Sequence, residues 1–382
     1  RTARDSGDNS WLFFHKSEGG VAGWNPEDHP NSVISARTND QVAQESAELL
    51  ALDELGPEGV WHFAGRELKL TNLDRVMFPG GPTRRSNLDS NQDEPNQEAP
   101  TTEALTHDAL TKRDLIRHYA TVAPLMIPFM KGHPVNLHRF PKGIGEPGFW
   151  HKAVPNHAPD WIERWDNPDA RPGETKTYFV ASEPATLAWL ANYGVVEVHP
   201  WTSTTTHPDS PTFAIFDIDP GERTSWEDLL ALARLHRDAL QHLGVVGLPN
   251  VSGQRGIQIR VPLLPGVSFA ESREWVEAVS RAIGRARPDL VSWKWKVGDR
   301  DGLARLDFTQ NARNKTIVAP YSPRPAVGGP VSTPIRWEEL DDPGLRPNRW
   351  TMNNLSARLI EAGDLLGSFE TGARPLPAIG AS

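Results

Sequence analysis

The stretch Thr212–Gly221, TFAIFDIDPG, limits what this chain can become more than any other segment. Phe213 to Ile218 reads as a buried strand, and residues i and i+2 of a strand point to the same side. Asp217 and Asp219 therefore project together, while Phe216 and Ile218 turn into the core. Pro220-Gly221 ends the strand directly afterwards, which predicts both acids at a sheet edge facing a cleft. Two adjacent carboxylates repel each other, and a hard divalent cation such as Mg2+ or Mn2+ removes that cost. The plain alternative is an exposed strand end with two solvated acids.

The surrounding pattern alternates strands and helices. SWEDLLALARLHRDALQHLG opens at an N-cap, Ser225, and closes at a C′ glycine, Gly244. GIQIRVPL (Gly256–Leu263) alternates as a half-buried strand does, and Ser268 with Glu271 forms a capping box. ARLDFTQ (Ala304–Gln310) reads as one more strand. This order predicts an α/β sheet with helices on one or both faces. Upstream, Thr111 opens a helix with Leu115, Ile116, Tyr119 and Val122 on one face. VWHFAGRELKL (Val60–Leu70) reads as two strands around an Ala-Gly turn. Residues 1–57 form a loosely packed extension with a short amphipathic helix at Val42–Leu55, and 368–382 form a tail. Gly80–Asp108 has almost nothing apolar to bury and predicts a mobile loop.

The chain lacks cysteine, which excludes disulfides, thiolate metal sites and cysteine nucleophiles. That fits a cytoplasmic protein. No apolar run approaches the roughly 20 residues of a membrane span, and the first residues lack the apolar core of a signal peptide. The net charge of −9 weighs against a nucleic-acid partner. From Lys112 to Lys152 the balance reverses: seven Lys or Arg stand against two acids, with four histidines and the pair Phe149-Trp150 among them. Basic residues interleaved with aromatics bind phosphates and stack on bases; a solvated face over core aromatics is the alternative.

A third acid, Asp307, lies on another short apolar strand. Three carboxylates on neighbouring strands can hold two metal ions beside a triphosphate. VSGQRGIQIR adds Ser252 and Arg255 with the close-approach glycines Gly253 and Gly256, whose backbone N–H groups suit phosphate oxygens. It is not a P-loop. Arg324 is a second candidate cation, and His199 ends an apolar strand. Each has a structural alternative: an ordinary hairpin turn, a surface arginine, a core histidine. D-x-D also occurs in glycosyltransferases, so the pair identifies metal and phosphate chemistry before it identifies a substrate.

Several stretches in register resemble the polymerase domain of bacterial DNA ligase D, within the archaeo-eukaryotic primase superfamily. They include LTNLDRVMFP, FWHKAVPNHAPDWI, LAWLANYGVVEVHPW, FDIDPG, SGQRGIQIRVPL and DFTQNARNKTIVAPYSPR. The resemblance covers Trp61 to Gly367 and looks like a stand-alone, actinobacterial-type member. It implies an α+β primase fold of α/β type: an N-terminal α/β module packed on an RRM-like catalytic module, with a metal cleft between them, over residues 58–367. It implies catalytic metal ligands at Asp217, Asp219 and Asp307, and a nucleotide pocket of His199, Ser252, Arg255, Gly256, Gln310 and Arg324. A downstream 5′-phosphate falls to Arg75 and Lys112. Template and DNA contacts fall to His138, Arg139, Phe149, Trp150 and Lys152. Arg255 and Arg75 stand where lysine is usual, Gln258 where histidine is common, and His138 where a lysine is found.

The expected activity is template-dependent nucleotide addition to a primer 3′-hydroxyl during repair of gaps or broken ends. It would use two Mn2+ or Mg2+ ions and favour ribonucleotides. The expected partners are NTP or dNTP, 5′-phosphorylated DNA and end-joining proteins such as a separate ligase, near the nucleoid and away from membranes. De novo priming and a non-catalytic end-binding module are the alternatives.

Overall fold

Capping and hydrophobic alternation place most elements where they form. In this computed structural model, which describes residues 39–82, 106–367 and 369–379, the chain opens with α1 (Asn39–Glu54) and the hairpin β1 (Gly59–Phe63) and β2 (Arg66–Leu70). Ala64 and Gly65 turn it, both with positive φ. Short β3 (Val76–Phe78), β4 (Gly81–Pro82), β5 (Thr106–His107) and β6 (Leu110–Thr111) follow. β4 pairs with β5, so the ends of the Gly80–Asp108 insert form a ladder rather than a loop. The expected mobility of residues 83–105 lies outside the described residues.

α2 (Lys112–Met130) starts at the Thr111–Asp114 capping box and buries the predicted apolar face. Next come β7 (Pro134–Arg139), β8 (Phe149–His151), β9 (Arg164–Asp166), β10 (Thr177–Val180), α3 (Pro184–Asn192) and β11 (Val195–Pro200). They build a sheet ordered β11-β7-β10-β9, with β8 also on β7. α2 packs along α3, which rests on β11.

The second module contains β12 (Phe213–Asp219), α4 (Trp226–His242), β13 (Leu248–Val251), β14 (Ile257–Pro262), α5 (Phe269–Ala286), β15 (Arg305–Leu306), β16 (Thr333–Pro334) and α6 (Leu355–Ala362). Ser225 and Ser268 cap α4 and α5 as read, and Gly244 takes φ +66 just past α4. The sheet order is β15-β12-β14-β13-β16, and every ladder in both large sheets is antiparallel. The architecture is therefore α+β.

Three expectations change here. β12 is not a free edge: Ile218 pairs with Leu306 on one side and Ile257 on the other. The strand over 304–310 stops at Leu306, because Asp307 caps a 3-10 turn at Phe308–Gln310. β14 is buried at all six positions rather than half-buried. The reason is that both sheet faces are covered. Phe216 of β12 packs on His236 of α4 and Trp275 of α5 at 5.0 and 5.6 Å. Phe213, on the face shared with the two acids, meets Phe129 of α2 at 5.4 Å. The acid face is thus turned toward the N-terminal module.

Backbone bonds join the modules, with Ala319 N donating to Val198 O at 2.9 Å. α1 is docked rather than loose: Trp61 Nε1 donates to Glu48 O at 2.7 Å, and Arg113 Nη2 to Leu55 O and Gly56 O at 2.8 and 2.9 Å. Phe369, in the C-terminal segment, packs on Phe129 and Phe213. Residues 1–38 of the expected extension lie outside the described residues.

Candidate functional site

The three acids converge because β15 delivers Asp307 beside β12. Asp307 N donates to Asp217 O at 2.8 Å, and Arg305 pairs with Asp219 in the strand ladder. Asn311 clamps the following turn, accepting from Ile215 N and donating to Ile215 O, both at 2.8 Å. Gly221 is required here, since a Cβ would lie 2.2 Å from Leu303 O.

The three carboxylates act on one another electrostatically. Burial, then the charges of Asp219 and Asp307, push Asp217 well above the usual carboxylate range, while Gln258 and Arg260 pull the other way. Asp219 is raised to about 6 by burial and Asp307, against Arg300, Arg305 and Arg255. Like charges brought together out of water favour the proton over ionisation. Asp307 is partly engaged: its Oδ1 accepts from Thr309 N, Thr309 Oγ1 and Arg305 Nη2 at 3.0, 2.6 and 3.3 Å. Among the described residues no three His, Asp or Glu side chains form a ready-made metal cage. Three largely buried carboxylates, whose mutual repulsion raises Asp217 and Asp219, are nevertheless a donor set that fits hard divalent cations, given a rotation of Asp307 off Thr309.

Behind Asp217 lies a residue that sequence reading passed over. Arg260 is fully buried and donates from Nη2 to Gln258 Oε1 at 3.3 Å and Val318 O at 2.8 Å. Burial lowers its pKa to about 10, against the pull of Asp217. Among the described residues its Nε and Nη1 have no partner.

The Ser252–Gly256 turn is closed on itself. Ser252 Oγ accepts from Gln254 N and Gly256 N at 3.3 and 3.0 Å, so these two N–H groups point inward. Gly253 has φ +75 and sits where a Cβ would strike Arg324. Arg255 is exposed and reaches Gly221 O at 3.2 Å. Arg324 spans the module boundary, donating to Ser252 O at 2.7 Å, to Gln254 Oε1 at 2.8 Å and to Glu197. Gln310 is half-buried one turn beyond Asp307.

Glu197 is the second unforeseen residue. Its carboxylate accepts from Arg324 Nε and lies 2.6 Å from His138 Nδ1 and 3.8 Å from His199 Nε2. Burial opposes its ionisation, yet the His138 and His199 contacts and the Arg324 charge hold its pKa far below the usual range. Burial lowers His199 in turn, with Glu197 opposing. The E-x-H spacing of Glu197 and His199 on one strand face was the available signal.

His138 and Arg139, both expected at the DNA, point to opposite sides of β7. His138 stacks on Trp150 at 4.6 Å and 8°, and Trp150 meets His199 edge-on at 4.8 Å. Arg139 lies 3.3 Å over the Tyr193 ring and 5.3 Å from that of Phe149. Phe149 and Trp150 are about half exposed, and Lys152 is exposed. Lys112 is buried, donating from Nζ to Thr71 O at 2.9 Å and Asn192 Oδ1 at 3.3 Å. Burial, then Arg75 and Arg139, lower its pKa to about 8, so these three cations form one cluster. Arg75 is tied to Pro141 O and Asn72 Oδ1.

A family model described as LigD, primase-polymerase domain, matches residues 111–366. The chain belongs to this family. LigD primase-polymerase relatives include the multifunctional non-homologous end joining DNA repair protein LigD of Mycobacterium tuberculosis, 31% identical over 316 residues and 81% of this chain. LigD of Pseudomonas aeruginosa is 31% identical over 255 residues, 66% of the chain. The chain spans 38% and 30% of those two relatives' lengths. A solved structure, the polymerase domain of Mycobacterium tuberculosis ligase D in complex with DNA, superimposes with a TM-score of 0.67 at 31% identity, covering 80% of this chain and 99% of that one. LigD family membership and the α+β fold that the resemblance implied are thereby established, whereas the α/β sheet predicted from the alternation of strands and helices gives way to antiparallel sheets. Among the described residues no helix is long and apolar enough to cross a membrane.

Proposed function

We propose that the chain is a template-dependent nucleotidyltransferase that extends a primer 3′-hydroxyl at gaps or broken DNA ends, with ribonucleotides preferred. The observation that carries this reading is the convergence of Asp217, Asp219 and Asp307 beside the guanidiniums of Arg255, Arg300 and Arg305. The matched relatives are end-joining proteins, and the solved neighbour is a polymerase domain with DNA.

In this reading Asp217, Asp219 and Asp307 hold one or two Mg2+ or Mn2+ ions. When bound, such ions acidify the 3′-hydroxyl and screen the triphosphate charge. Arg324 and His199 bind phosphate oxygens, with Arg255 at the pocket mouth. Arg324 exchanges its exposed partner Gln254 for the ligand, while Glu197 and Ser252 O keep the rest of its fork in place. Trp150, backed by His138, offers its other face to a template base. Lys112, Arg75 and Arg139 supply the charge for a downstream 5′-phosphate.

Primer extension on 5′-phosphorylated gapped DNA, with ribo- and deoxynucleotides and with Mn2+ or Mg2+, tests this. Extension that Asp217→Ala abolishes is expected; no incorporation by the unaltered chain under any of these conditions would sink the reading.

A further inference from the structure

Glu197 is a buried acid to which sequence reading gave no role, and it touches residues on both sides of the pocket. On one side is His138, at 2.6 Å, whose ring lies flat on Trp150. On the other is Arg324, whose remaining donors hold Ser252 O and Gln254 Oε1. His199 is the third neighbour, at 3.8 Å, and it meets Trp150 edge-on. The contacts run unbroken from an exposed aromatic face to the Ser252–Gly256 turn, and every link from His138 onward passes through one carboxylate.

We propose that Glu197 is a positioning residue that joins the template-stacking ring to the triphosphate-binding fork, so that the template base and the incoming triphosphate are held in register. This rests on the nucleotide-pocket reading above. A carboxylate bonded both to the His138 ring and to the Arg324 guanidinium fixes the angles of both. An uncharged amide replaces the charge-assisted bond to Arg324 with a weaker neutral one, although the side chain keeps its shape. The partners of Glu197 are His138, His199 and Arg324 rather than the three aspartates, so its loss weakens nucleotide capture rather than the chemical step.

The test uses the full chain, ATP and a single-nucleotide 5′-phosphorylated gap with template dT. Glu197→Gln is expected to raise KM for ATP by about tenfold or more, as loss of a charge-assisted bond does. It leaves kcat within about threefold, in line with binding lost equally in ground and transition states. Affinity for the gapped DNA alone falls less than it does in Trp150→Ala. In the Glu197→Gln background, Trp150→Ala adds less to KM than it does in the unaltered chain. An unchanged KM, or KM and DNA affinity worsening together with a lower Tm, overturns the inference. If Glu197→Gln does not fold, Glu197→Asp keeps the buried charge one methylene short; KM for it rises in the same direction, and an unchanged KM has the same adverse force. An unaltered chain that neither binds ATP nor extends primers fails the nucleotide-pocket reading itself, a result separable from either variant's behaviour.

Discussion

Asp307 is attached to Asp217 through the backbone: its N–H donates to the Asp217 carbonyl at 2.8 Å. The third acid of the site is thus placed by the ladder between β12 and β15, independently of any side-chain contact. This geometry keeps the carboxylates close whether or not they repel, and the repulsion appears as raised pKa values at Asp217 and Asp219.

The repulsion has a measurable sign. Asp219 titrates near 6 in the folded chain and near 4 in an unfolded one. Its proton favours folding, so this stabilisation is complete below about pH 4 and is lost as pH rises through about 6. Asp219→Asn is expected to melt higher than the unaltered chain at pH 7.5 without divalent cations, by roughly 1–2 °C per kcal/mol released. The gap narrows at pH 5. A scanning-calorimetry series at both pH values checks it, and a lower Tm for the variant at pH 7.5 counts against the repulsive site.

Lys112 provides a second pH dependence. Its pKa near 8 means that its charge is lost as pH rises through that value. The preference for a 5′-phosphorylated over an unphosphorylated gap is expected to be full at pH 7 and to fall several-fold by pH 9.5. Arg75 and Arg139 preserve the remainder, because arginine stays charged. Fluorescence-anisotropy titrations across pH 6.5–9.5 measure it; a pH-independent preference removes Lys112 from the phosphate site.

Asn311 satisfies both backbone groups of Ile215 on β12. Asn311→Ala strands a buried N–H and a buried C=O, costing about 1–3 kcal/mol each. The expected result is a loss of about 2–6 kcal/mol in urea unfolding, with kcat reduced more than KM because the Asp307 turn loosens. Native stability in this variant would show that the clamp is redundant.

Trp150 is 53% exposed, so Trp150→Ala should barely alter stability. Stacking on a base is worth about 1–3 kcal/mol, which sets an expected loss of roughly tenfold or more in affinity for gapped DNA. Parallel melting and binding measurements separate the two effects. Equal binding by the variant would assign the ring to His138 alone.

Phe369 tests the C-terminal boundary. It is buried against Phe129 and Phe213, across the line drawn at residue 367. Phe369→Ala is expected to cost about 3–5 kcal/mol, read by urea unfolding. A cost near zero would make the segment a dispensable tail.

Local chemistry explains what could be read early. The helix starts at Thr111, Ser225 and Ser268 and the Ala64-Gly65 turn involve neighbours a few residues apart, and all formed as read, Ser225 with a full capping box beyond the N-cap expected. The i, i+2 period likewise put Asp217 and Asp219 on one face. The half-buried reading of β14 failed because periodicity along a strand cannot tell whether a second module covers its polar side.

Motifs in register carried the family resemblance, and sequence alone determined the paired aspartates and the starts of α2, α4 and α5, since short-range sterics and hydrogen bonds set these. The tertiary structure alone decided that Lys112 is buried beside Arg75 and Arg139, that His138 and Arg139 part company, and that Glu197 holds His138, 59 residues away, and Arg324, 127 residues away. Such contacts depend on how two sheets meet, and the charge that each group carries depends on the water excluded there.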